Sequence, residues 1–390
     1  MKNVYYEIRD FLQTTPQGFP STESGIEIKI LKKLFIPEHA EIFVKIIKHR
    51  NFLKGYVSGK DKKLQKILKM SEEKLTNKLD EMSKKGLFIR QRLNNDKNQP
   101  IYYPPAFIVG LYEFSINSMD KELAELCSEY IKHLADWQNS IYTKQLRIIP
   151  VESSLNAKTN ILAYNQVKEI IKGHDTIAVA PCICALESKA LGIKCKAPIE
   201  RCISFDWYAE HYIDTGLGRQ ITEEELYDKL ELAEKEGLGI SSSNTYPSIG
   251  FCLCCECCCA ALKMLRLAPK PAEQTNSFYH AELDPEKCVQ CDLCFDRCHI
   301  DAIKKGKSYH IDLDRCGGCG LCITTCPKEA LKMVENNVKH KAPPAASIPM
   351  ALNMYEEHIK AGHFPRKDLI KVKFAKSVIK TANIIQKLTK

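Results

Sequence analysis

The chain has 390 residues, 27% of them charged and 44% hydrophobic, with 19 cysteines and a formal net charge of +9. That length allows about two to four domains, each able to bury a core, and the composition is globular rather than disordered or fibrous. No window approaches the roughly 18 uninterrupted apolar residues of a membrane span and Met1 to Asp10 carries no apolar signal stretch. A cytoplasmic protein with no integral membrane span is therefore expected, where clustered cysteines serve as metal ligands rather than disulfides.

Composition divides the chain at residues 1–145, 146–270, 271–336 and 337–390. The first region holds a single cysteine, Cys127. Pro37 to Ile47 reads as a helix with proline in its first turn, and a shorter helical pattern covers Leu64 to Leu68. Ser71 stands where an N-cap belongs, before Leu75, Leu79 and Met82 at helical spacing, and Gly86 marks the stop. Leu87 to Arg92 and Ile101 to Tyr103 read as strands joined by the turn-rich run from Asn94 to Asn98. This order, over residues 36–104, resembles a winged helix-turn-helix. Between Lys45 and Lys97 sixteen lysines and arginines face six acids, an excess suited to phosphate contact. Glu72, Glu73, Asp80 and Glu81 beside Lys74, Asn77 and Lys78 give the last helix a mixed outer face, so DNA binding and protein docking both stand as readings.

In the second region Thr176 to Ala180 is a buried-strand pattern that delivers Cys182 and Cys184 at its end. Thr222 and Glu225 form a capping-box pair before a helix running to about Glu236 and stopping at Gly237. Cys182, Cys184, Cys195 and Cys202 open the region, and Cys252, Cys254, Cys255, Cys257, Cys258 and Cys259 close it. Adjacent cysteines make strained disulfides and six free thiols would be oxidation hazards, so metal or cluster ligation is the economical reading. A [4Fe–4S] cluster takes four thiolates, so these ten have room for one or two further iron–sulfur clusters. Zinc and thiol–disulfide chemistry remain the alternatives. Glu187, Arg201, Asp206, His211, Arg219 and Glu256 are candidate neighbours of such a centre, with no catalytic role assigned.

The third region carries the most specific pattern. Cys288, Cys291, Cys294 and Cys298 follow the spacing C-x₂-C-x₂-C-x₃-C, and Cys316, Cys319, Cys322 and Cys326 repeat it, with Pro327 after the last. Three thiolates two residues apart wrap one cluster while the fourth reaches the other. One cluster is therefore assigned to Cys288, Cys291, Cys294 and Cys326, and the second to Cys316, Cys319, Cys322 and Cys298. An internal repeat supports the duplication: Tyr279-His280 with Leu283-Asp284 precedes the first run, and Tyr309-His310 with Leu313-Asp314 the second. The segment resembles the two-cluster [4Fe–4S] ferredoxins of clostridial type, which implies clusters that cycle between 2+ and 1+ at low potential. His299 stands after Cys298 where that family usually has proline, placed either to tune the second cluster or as a tolerated turn residue. The whole chain looks like the ferredoxin-fused, cysteine-rich iron–sulfur proteins of anaerobes.

The expected fold is α+β and multidomain: a helical, winged-helix-like N-terminal region, a mixed α/β cysteine-rich middle domain and a ferredoxin-like module. A basic linker and helix follow, with Ile370, Phe374, Val378, Ala382 and Ile385 along one helical face. Two [4Fe–4S] clusters carry about −2 each, four about −8 in all, so the formal charge overstates basicity. The expected function is an iron–sulfur electron-transfer protein or oxidoreductase subunit with a redox partner protein. A redox-responsive winged-helix regulator and a docking scaffold with structural clusters are the competing readings. Neither G-x-G-x-x-G nor G-x-x-x-x-G-K-[ST] is present, so no nucleotide site is indicated.

Overall fold

The structure is a computed structural model that describes residues 3–50, 55–93, 96–155, 165–336, 343–344 and 347–388, with the side chains of residues 97 and 380–388 outside the description. Helices Val4–Gln13, Ile26–Leu34, Pro37–His49 and Lys121–Asn139 enclose a core in which Phe19, Phe35, Phe43, Phe88 and Tyr130 are all buried. Helix Glu72–Lys84 is capped by Ser71, whose hydroxyl accepts the Lys74 N–H at 3.3 Å, and buries Leu75, Leu79 and Met82. Gly86 ends that turn at φ +77°, where a Cβ would stand 2.5 Å from the Phe114 carbonyl oxygen. Only glycine takes this conformation and this contact together.

Strands β1 (Ile89–Leu93) and β2 (Asp96–Tyr103) form an antiparallel hairpin, and Val57 bridges to Tyr102. The connection is tighter than the run from Asn94 to Asn98 suggests, because Leu93 pairs with Asp96 and the strand already contains Asp96, Lys97 and Asn98. Asp96 accepts the Asn98 N–H at 2.8 Å, which uses its turn-forming carboxylate inside the strand. Asn94 and Asn95 lie outside the described residues.

Six strands build the central sheet: β3 (Leu146–Ile149), β4 (Ile177–Pro181), β5 (Glu200–Phe205), β6 (Arg219–Gln220), β7 (Gly239–Ser243) and β8 (Gly250–Cys254). They lie in the order β3-β7-β8-β5-β4-β6, every pair antiparallel. Helix Glu223–Lys235 packs Leu226, Leu230 and Ala233 with Ile177, Val179, Ile203 and Phe251 of the sheet. Its Thr222 cap accepts the Glu225 N–H at 3.1 Å. In the module, β9 (Tyr279–Leu283) pairs with β12 (Leu331–Glu335), and β10 (Ile303–Lys304) with β11 (His310–Ile311). Helices Ser347–Lys360 and Asp368–Leu388 follow, and Ile370, Phe374 and Val378 stand exposed on the last, while the side chains of Ala382 and Ile385 lie outside the description. Among the described residues no helix is long and apolar enough to cross a membrane.

The hairpin is pinned to the middle region by charge. Arg90 pairs with Asp80 at 3.0 Å and with Asp214, and Arg92 pairs with Asp214 at 2.5 Å and Glu210 at 3.3 Å. The Arg90 N–H also donates to His211 Nδ1 at 3.1 Å. Asp214 and both arginines are mostly removed from water, so deleting the shared carboxylate leaves each cation with a single acidic partner, Asp80 for Arg90 and Glu210 for Arg92. Asp214→Ala is expected to cost about 2–3 kcal/mol, toward the low end for a buried pair because the groups keep some solvent contact. A urea unfolding midpoint equal to that of the unsubstituted chain would show the contact to be unimportant.

Candidate metal centres

The module folds its cysteines into two sets by local loop geometry. Asp292 (φ 68°) and Gly320 (φ 81°) each start a one-turn helix, Leu293–Asp296 and Leu321–Thr324, that turns the following cysteines inward. Cys294 faces Cys288, Cys326 and Cys291, and these four line a cavity of about 20 Å³ with Leu283, Pro327 and Leu331. Cys322 faces Cys319, Cys316 and Cys298, and this set lines a cavity of about 40 Å³. Backbone N–H groups donate to sulfur in register with the repeat, from Ala302 to Cys298 at 3.2 Å, from Ala330 to Cys326 at 3.3 Å, and from Ala281 to Cys316 at 3.4 Å. Such donors stabilise thiolate and tune cluster potential. Burial pushes the Cys294 thiol up to about 11 and Cys319 up to about 12. Four sulfurs in each set are the number that a [4Fe–4S] cluster takes.

The module sits on the sheet rather than beside it. Val151 donates its N–H to the Cys319 carbonyl at 2.9 Å, and Ile148 donates to the Thr275 carbonyl at 3.1 Å. The loop from Cys316 to Cys322 approaches so closely that a Cβ at Gly317 would lie 2.7 Å from Ile148 Cδ1, and one at Gly320 2.1 Å from Ser154 Oγ. His299 is no free turn residue. It lines the cavity of the second cysteine set, a Cβ at Gly239 of β7 would stand 3.7 Å from its Nδ1, and burial lowers its pKa, with Glu256 and Cys255 facing it.

The ten middle-region cysteines divide into four and six. Cys195, Cys255, Cys257 and Cys258 bring four sulfurs within 4.8 Å of one another. Cys195 comes from the segment after helix Ile183–Ala190, and the other three from the turn that leaves β8. The separations are 3.7 Å (Cys195 to Cys255), 3.2 Å (Cys255 to Cys257) and 3.5 Å (Cys257 to Cys258). A tetrahedron of thiolates about 2.3 Å from one metal ion has edges of about 3.8 Å, so this group fits a single four-coordinate ion. Arg201, 2% exposed, donates to Cys255 Sγ at 3.4 Å and Cys195 Sγ at 3.9 Å. Hydrogen bonds from Cys258 and Cys257, with Arg201 beside them, hold the Cys255 thiol down to about 4. Cys182, Cys184, Cys202, Cys252, Cys254 and Cys259 lie elsewhere, around a separate cavity of about 340 Å³.

The neighbouring charged residues fall into distinct roles. Arg201 alone among them touches the four-cysteine group. Glu187 accepts from Tyr112, whose hydroxyl also lies 3.9 Å from Cys184 Sγ. His211 belongs to the hairpin contact, Asp206 bonds His174 at 2.7 Å, and Glu256 lies 3.8 Å from Arg266. Arg219 spans Glu200 and Glu225 on the surface. Residues with no sequence signal also reach the large cavity: Tyr112 and Glu113 from the N-terminal region and Tyr208 from helix Asp206–Thr215. Glu113 accepts the Gly110 N–H at 2.8 Å, and burial pushes it up to about 7.

Residues 281–333 match the family model of the 4Fe-4S dicluster domain. No curated protein and no solved structure matches the chain. The matched segment contains both cysteine runs of the module and ends inside β12. The chain thus carries an iron–sulfur, ferredoxin-like module joined to a second body of cysteine ligands.

Proposed function

We propose that this chain is an iron–sulfur electron-transfer protein, or the electron-transfer subunit of a cytoplasmic oxidoreductase, with two [4Fe–4S] clusters in its ferredoxin-like module. The first is held by Cys288, Cys291, Cys294 and Cys326, the second by Cys298, Cys316, Cys319 and Cys322. A further metal is held by Cys195, Cys255, Cys257 and Cys258. The clusters, when bound, supply one-electron steps, and the protein's part is to position and insulate them. One observation carries the reading: the second module set shares its walls with the middle-region cysteines. Cys254 lines both the 40 Å³ cavity of that set and the 340 Å³ cavity, and Cys319 packs in the same apolar cluster as Cys255 and Cys258. Electrons delivered to the first cluster have an unbroken run of sulfur sites ahead of them.

The N-terminal hairpin favours docking over DNA reading. Arg90 and Arg92 are committed to carboxylates of helix Asp206–Thr215, and Lys78 pairs with Glu38 at 3.2 Å and Glu81 at 2.8 Å. Cations already neutralised inside the chain have little left for phosphate contact. In mobility-shift assays at moderate salt, no sequence-selective complex is expected in either redox state. A selective complex that Lys74→Ala with Lys78→Ala weakens would return the regulator reading to first place.

Metal accounting tests the centres one by one in anaerobically purified protein. Cys291→Ala is expected to lose about four iron and four sulfide per chain. Cys195→Ser is expected to lose about one metal ion and no sulfide, as a single tetrahedral ion requires. Sulfide loss in the second variant would mean a cluster there. The relay itself is tested by rapid reduction with a low-potential donor. Loss of the first cluster in Cys291→Ala should slow reduction of the metal sites beyond the module, followed by paramagnetic resonance. Upstream reduction indifferent to that loss would break the relay model.

A further inference from the structure

The six cysteines left outside the four-sulfur group close into a ring. Cys184 Sγ lies within hydrogen-bonding reach of Cys182 and of Cys259. Cys259 and Cys254 sulfurs are 3.3 Å apart, and Cys254 reaches Cys252 in turn. Cys202 stands opposite Cys252 in the β5–β8 pairing and faces both Cys252 and Cys182. The elements that meet here are far apart in sequence: the end of β4 with the helix after it, β5, β8, and the start of helix Ala260–Leu267. Two are strands in direct register and two are helix N-termini, so no loop alone places the ring.

Two observations tie this ring to a ligand. All six cysteines line one cavity, of about 340 Å³, against about 20 Å³ and 40 Å³ for the cavities of the two module sets. Space roughly tenfold beyond what a four-cysteine module set encloses is room for more than that set's ligand. Finally, one metal ion takes four thiolates, whereas six line this one cavity with no disulfide among them. Thiols so concentrated in a redox protein are oxidised unless ligated.

We propose that the six-cysteine ring is a separate iron–sulfur centre, bound by more than four thiolates, and that the cavity beside it admits a small molecule to that centre. This goes beyond the electron-transfer reading and stands whichever metal fills the four-cysteine group. Cys254 gives the ring a wall in common with the second module set, and Tyr112 closes the cavity from the N-terminal region. The chain then has a site open to a small ligand of iron as well as the sites that carry electrons.

The test uses the full chain with its clusters in place. Cys202→Ser and Cys252→Ser, made separately, are each expected to lower iron and sulfide by about four per chain. The metal that Cys195→Ser removes and the clusters of the module should persist in both. Unchanged iron and sulfide in both variants, or loss of zinc in place of iron, overturns the proposal while leaving the module untouched. Should the variants fail to fold, iodoacetamide labelling of the unsubstituted chain decides. The six ring thiols should resist it with clusters present and react once iron is chelated away, and equal labelling in the two states overturns the assignment. Cyanide, a small iron ligand, probes the cavity. It should shift a paramagnetic signal of the reduced protein that Cys252→Ser lacks, and the absence of any shift at saturating cyanide overturns the access claim.

Discussion

The antiparallel register of β5 with β8 sets Cys202 opposite Cys252 and Ile203 opposite Phe251, and the cysteine geometry of the middle region follows from it. Successive residues of a strand point to opposite faces, so Cys252 and Cys254 share one face while Phe251 and Leu253 occupy the other. Phe251 and Leu253 are buried in the sheet's apolar core with Ile203 and Phe205, which holds the register against slippage. A slip of one residue would send both cysteines to the wrong side and the phenylalanine toward the sulfurs. Because β8 runs directly into the turn carrying Cys255, Cys257 and Cys258, the same register also fixes where the four-sulfur group forms.

Burial gives these sulfurs their chemical character. Thiols in apolar surroundings keep their protons because the thiolate is poorly solvated, and the module's Cys294 and Cys319 are pushed up accordingly. The four-sulfur group differs, since it is served by a buried guanidinium. Arg201 would itself be a costly isolated charge, and it faces Cys195 and Cys255 of the group together with Cys182 of the neighbouring set. Guanidinium and thiolates justify one another's burial. That arrangement favours a site that stays assembled.

How much of this was legible in the sequence depends on the range of the contact concerned. The iron–sulfur module was readable because cysteine spacings of two and three residues are a local signal, and residues 281–333 match the 4Fe-4S dicluster domain. The caps at Ser71 and Thr222 were readable for the same reason, being local. The partition of ten cysteines into four and six was not, because it follows from strand pairings across fifty residues of chain. Strand β7, Gly239 to Ser243, reads as loop composition, yet all five residues are buried. Its serines are satisfied internally, Ser242 and Ser243 each bonding Ser248 at about 3 Å. Tyr112 and Tyr208 carry no motif, and only the fold brings them to a cavity of cysteines.

The close seating of Gly317 and Gly320 bears on how such a protein can change over time. A ferredoxin-like module joined by a flexible linker could be exchanged for another by recombination, since its interior and its host would be independent. Here any donor with a side chain at either glycine would strike Ile148 or Ser154, and the backbone bond from Val151 to Cys319 would have to re-form. The module is in that sense not an interchangeable cassette. It and the sheet that carries it are constrained to vary together, and a chimera built by swapping residues 271–336 alone would need matching substitutions at residues 148–154.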